Sequence, residues 1–84
     1  MCITEYIKER AQELERGAQG KIEIIDFLIA GLIKAQNAAS DLPRAGGLIA
    51  LLLGMHAELM EEKAAALRVI ESALELRRTT KELM

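Results

Sequence analysis

The chain has 84 residues, a formal net charge of −2, and a hydrophobic share of 51% in which aromatic residues are only 2%. This length holds one domain at most, spanning residues 1–84, and at this size a lone core buries only about 60–65% of the unfolded chain's surface. The acidic balance excludes the basic footprint of a nucleic-acid binder, and a single cysteine, Cys2, excludes an internal disulfide or a multi-cysteine metal site.

The apolar volume is leucine, isoleucine and alanine, with one valine, Val69, and one proline, Pro43. Sheets draw on Val, Thr and the aromatics, so the composition predicts an all-α chain. The opening MCITEYIKER has no apolar run after its charges, unlike a secretory signal, and a cytoplasmic location is expected. Helix one is predicted over Thr4–Ala39. Gly17 and Gly20 each cost about 1 kcal/mol against alanine, enough to kink the helix or split it into Thr4–Arg16 and Lys21–Ala39. Ala11, Leu14, Ala18, Ile22 and Ile25 keep a three-to-four spacing across the glycines, which favours a continuous or merely kinked helix. Its seam is read as Ile7, Ala11, Leu14, Ala18, Ile25, Leu28 and Leu32, interrupted by Lys21.

Within this helix Glu23-Ile-Ile-Asp26 places two carboxylates on one face. The four residues resemble the acidic E-x-x-D helix of all-α nucleoside triphosphate pyrophosphatases, a resemblance that implies Mg²⁺ binding. Those enzymes add a second acidic motif at longer spacing. Here Glu9 and Glu13 lie too close in sequence and lack the doubled glutamate.

The one strong break is Asn37–Gly47, reading NAASDLPRAGG. Leu42, ahead of proline, is pushed toward extended backbone and must end helix one. Ser40 and Asp41 suit an N-cap and Pro43 a first turn, so helix two is predicted over Pro43–Glu82. A short loop between long helices makes them antiparallel neighbours, a helical hairpin. Leu53, Met60, Leu67 and Leu74 recur at sevens, with Leu52, Leu59, Ala66 and Ala73 beside them, and read as the heptad seam of helix two. Glu5, Glu9 and Glu13 are expected to run alongside Arg68, Arg77 and Arg78.

From Ile22 to Met60, 24 of 39 residues are apolar and 6 are charged, whereas the other 45 residues hold 18 charges. Phe27–Ile33 and Leu48–Leu53 are apolar all round the helix, and one antiparallel partner covers a single stripe of such a helix. Something further must cover the loop end: a second copy, another protein or lipid. A membrane span is not expected, because Asp26 and Lys34 bound the first stretch well short of the ~20 residues a span needs, and His56 and Glu58 end the second. Gly31, Ala35 and Ala38 on helix one, and Gly46, Ala50, Gly54 and Ala57 on helix two, recur at helical spacing and suit a close backbone crossing.

His56 has no metal-ligand spacing to Glu58 and reads as a partly buried or interfacial histidine. Met55 and Met60 read as packing residues, and Ala45-Gly46-Gly47 lacks the lysine and spacing of a phosphate-binding loop. No catalytic residue, cofactor or metal is therefore assigned. The expected architecture is a hairpin that dimerises into a four-helix bundle. The expected role is a non-enzymatic interaction module, an adaptor, chaperone-like subunit or inhibitor whose partner is itself and beyond that another protein. The alternatives are a small Mg²⁺ enzyme using Glu23 and Asp26, and a purely structural or engineered bundle. The self-association surface is assigned to Phe27, Leu28, Gly31, Leu32, Ala35, Leu48, Ala50, Leu52, Leu53, Gly54, Ala57 and Met60.

Overall fold

The break around Pro43 decides the architecture. In the computed structural model, which describes residues 2–82, α1 spans Ile3–Ala39 and α2 spans Gly46–Glu82, 37 residues each. Asp26 pairs with Lys63 and Glu15 with Arg77, so the two helices run antiparallel as a hairpin. The rod measures 63 × 14 × 13 Å. α1 is one unbroken helix through Gly17 and Gly20. A methyl at either glycine would meet open space, so neither is required by a close contact, and the long packed face carries the propensity cost.

The start of helix two differs from the sequence expectation. Ser40 and Asp41 close α1 rather than open α2. The last carbonyls of a helix lack partners within it, and here each finds one in the loop. Ser40 N–H donates to Gln36 O at 3.0 Å, Ser40 Oγ to Asn37 O at 2.7 Å, Asp41 N–H to Ala38 O at 3.4 Å and Leu42 N–H to Ala39 O at 3.0 Å. With those groups committed, Pro43 falls in the turn. Arg44 then adopts a left-handed φ of 62° to redirect the chain, a conformation uncommon outside glycine. The first bond of α2 runs from Ile49 N–H to Ala45 O at 2.9 Å, which makes Ala45 its cap and Gly46 its first residue.

The contact between the helices is a regular three-four stripe. On α1 it is Ala11, Ala18, Ile22, Ile25, Ile29, Leu32 and Ala39; on α2 it is Ala45, Ile49, Leu52, Leu59, Ala66, Ile70, Ala73 and Thr80. Ile25 is the one bulky apolar side chain among the fully covered core residues, at 3% exposure. The other buried apolar residues are alanines, and such small side chains let two helices lie close. Thr80 is buried as well, and its hydroxyl donates to Leu76 O at 2.7 Å, which satisfies it inside its own helix.

The register on α2 is one residue away from the sequence reading. Leu52, Leu59, Ala66 and Ala73 face α1, whereas Leu53, Met60, Leu67 and Leu74 are exposed. On α1, Leu14 and Leu28 are likewise exposed and Ile7 is half-buried at the edge of the seam, while Ala11, Ala18, Ile25 and Leu32 face inward. Both stripes of α2 are apolar at sevens. The stripe that faces α1 is the one that carries Ala66 and Ala73, small side chains that let the two helices lie close. The acidic row also differs. Glu5 and Glu9 make no interhelical ion pair among the described residues, Glu13 pairs with Arg10 and Arg78 with Glu75 inside their own helices, and the cross-helix partners are Glu15 and Asp26.

The glycine stripe is not a crossing within the hairpin. Gly31, Gly46 and Gly54 each look out on open space. Gly54→Ala is therefore expected to stabilise the protein by up to about 1 kcal/mol through helix propensity alone. The measurement is a thermal melt of both proteins at one concentration, and a lowered melting temperature would place a backbone against Gly54.

Candidate interaction surface

The seam divides the outside of the hairpin into two flanks. Successive helical residues are rotated by about 100°. Leu53, Met60, Leu67 and Leu74, each one residue after a seam position, therefore fall on one side of it, and Leu48, Met55, Glu62, Val69 and Leu76 on the other. On α1 the residues flanking the second group are Ile7, Leu14, Lys21, Leu28 and Ala35, whereas those flanking the first are Glu5, Gln12, Gln19, Asp26 and Ile33. One flank is thus apolar on both helices, the other on α2 alone.

The apolar flank is grooved along its length. Near the loop, Phe27, Leu28, Gly31, Leu32, Met55, Glu58, Leu59 and Glu62 enclose about 450 Å³. Phe27 is 78% exposed and Leu28 and Met55 stand about half out of the surface. Two further depressions continue the trough toward the chain ends and share Leu14, Ala65 and Val69 as walls. Lys21 lines the edge of the middle depression and Glu62 the edge of the loop-end groove. Neither makes an ion pair among the described residues. They are the charges that mark the midpoint of an otherwise greasy strip. Gly31 lines the loop-end groove, and a methyl there would meet open space.

The twelve residues assigned to self-association from the sequence fall on different faces. Phe27, Leu28, Gly31, Ala35 and Leu48 sit together along the apolar flank, and Leu32 lines its groove from the seam. Leu52 also faces the seam. Leu53 and Met60 lie on the opposite flank, and Ala50, Gly54 and Ala57 on the outer face of α2. Met55, Val69 and Leu76 of α2, with Leu14 of α1, also lie on the apolar flank, and none of them is among those twelve.

The chemistry-bearing residues are dispersed. Asp26 accepts from Lys63 Nζ at 2.7 Å, and Glu23 is exposed on the same helix. No group of three or more His, Cys, Asp or Glu side chains is placed to hold a metal among the described residues. His56 is partly buried on the seam face of α2. The opposite flank carries a basic depression lined by Lys8, Gln12, Leu74, Arg77, Arg78 and Lys81. Two of its four cations are already engaged, Arg77 by Glu15 at 2.6 Å and Arg78 by Glu75.

Cys2 is the cap of α1, where its sulfur lies 2.9 Å from Thr4 Oγ1. That hydroxyl, followed by the backbone N–H groups of Thr4 and Glu5, holds the thiol below its ordinary titration range, because hydrogen bonds to the anion favour it. Thr4→Val removes the largest of these and is expected to move the thiol upward. Thiolate absorbance followed against pH in both proteins checks this, and an unchanged midpoint would mean that the hydroxyl does not reach the sulfur in solution.

No helix among the described residues is long and apolar enough to cross a membrane. No known family model, curated protein or solved structure matches the chain.

Proposed function

We propose that the chain is a non-enzymatic helical interaction module that works as a homo-oligomer, two hairpins joining into a four-helix bundle. The observation that carries this reading is the flank from Ile7 to Leu48, apolar on both helices, grooved, and topped by a phenylalanine 78% exposed. An isolated apolar residue at the surface is ordinary; a contiguous strip of them marks a contact site. The size of the chain argues the same way. The hairpin buries one stripe of alanines and a few larger side chains, too little for a domain of this length to be more than marginal without association.

Folding and association are then one equilibrium, and stability depends on concentration. The melting temperature is expected to rise as the protein is concentrated through the micromolar range. A concentration-independent melt that stays cooperative down to nanomolar protein would contradict the proposal.

A further inference from the structure

We infer that the apolar flank receives a second copy of this chain with both loops at the same end, α1 of each protomer lying against α2 of its partner. This rests on the self-association proposed above and adds its geometry. Two hairpins meeting through this flank have two symmetric arrangements. With the twofold axis along the rod, α1 faces the partner's α2 at the same height. With the axis across the rod, α1 faces α1 and the loops point in opposite directions.

Charge separates the two. Lys21 and Glu62 sit at the middle of the flank, one on each helix, on adjoining grooves. The first arrangement brings each Lys21 to the partner's α2 beside Val69, the residue that shares its groove, and keeps it away from the partner's own Lys21. The second, centred on the rod, brings Lys21 against its own symmetry mate, and like charges in a desolvated contact oppose association. Apolar content separates them in the same direction. The loop half of the chain, Ile22 to Met60, holds 24 apolar and 6 charged residues, and the other 45 residues hold 18 charges. Loops at one end lay greasy half on greasy half, with Phe27 and Leu28 against the partner's α2 around its own groove. Loops at opposite ends lay it on the charged half. The length of the strip is adequate: a rod 63 × 14 Å in outline presents a face comparable with the roughly 800 Å² each partner of a stable complex buries. Glu58 lies on the rim of the groove, where it stays wet.

Spin labels on the loop decide the case. Asp41 is exposed and makes no side-chain hydrogen bond among the described residues. Asp41→Cys, in a Cys2→Ser chain, gives one label per protomer. Dipolar spectroscopy is expected to give a label separation well under half the 63 Å rod length. A dimer whose labels stand near the full rod length overturns the arrangement and leaves the self-association proposal intact; a monomer by light scattering overturns both.

Discussion

Ile25→Ala is expected to destabilise the hairpin by about 2–5 kcal/mol, the range for removing a large side chain from a core whose surroundings cannot collapse into the space. Ile25 is 3% exposed, the one bulky apolar side chain among the fully covered core residues, and the others are alanines too small to fill the hole it would leave. Leu53→Ala deletes a similar side chain one residue out of register on α2. Leu53 is 53% exposed, and its loss is expected to change stability by no more than about 0.5 kcal/mol. Denaturant melts of the two variants test the seam directly. A reversal, with Leu53 costing more than Ile25, would mean that α2 turns its other stripe toward α1.

The second large effect comes from adding volume. Ala66→Leu introduces three carbons where the helices lie close, at a residue 4% exposed near the middle of α2. Near the chain ends the helices can splay to admit a larger side chain. At the middle a separation must be paid for by contacts on both sides. The expected loss is about 1–3 kcal/mol, against a propensity change near zero, since alanine and leucine are both good helix formers. Equilibrium unfolding monitored by circular dichroism measures it. An Ala66→Leu protein as stable as the parent would show that the alanine stripe is loosely packed.

These two substitutions fall where sequence and structure agree least and most. The all-α hairpin was legible because composition, the break at Asn37–Gly47 and the long three-four periodicities all point one way. Continuity through Gly17 and Gly20 was legible from the unbroken phase of Ala11, Ala18, Ile22 and Ile25. The α2 register was not. A helix with leucines at both Leu52 and Leu53, and again around Leu59 and Met60, offers two adjacent apolar stripes at sevens, the exposed one the bulkier. Their choice depends on the fit to α1, a non-local property. The loop misled for a related reason. Ser40 and Asp41 are good caps for either helix, and what settles their side is the set of α1 carbonyls left without partners. The candidate surface was half legible: the excess of apolar residues at the loop end was plain in the sequence, but not that Leu53 and Phe27 lie on different sides of the hairpin.

That division matters for the central claim, that the flank bearing Phe27 and Leu28 is where a second copy binds. Sedimentation equilibrium across the micromolar range, run on the parent chain and on Phe27→Asp, tests it most directly. Phe27 is 78% exposed, so aspartate there leaves the hairpin's own seam untouched while burying a charge in any contact made through the flank. The parent is expected to sediment at twice the 9.2 kDa chain mass and the variant at the chain mass itself, with its helical content retained. A parent that sediments as a clean 9.2 kDa monomer would contradict the account, and so would a Phe27→Asp protein that dimerises as tightly as the parent.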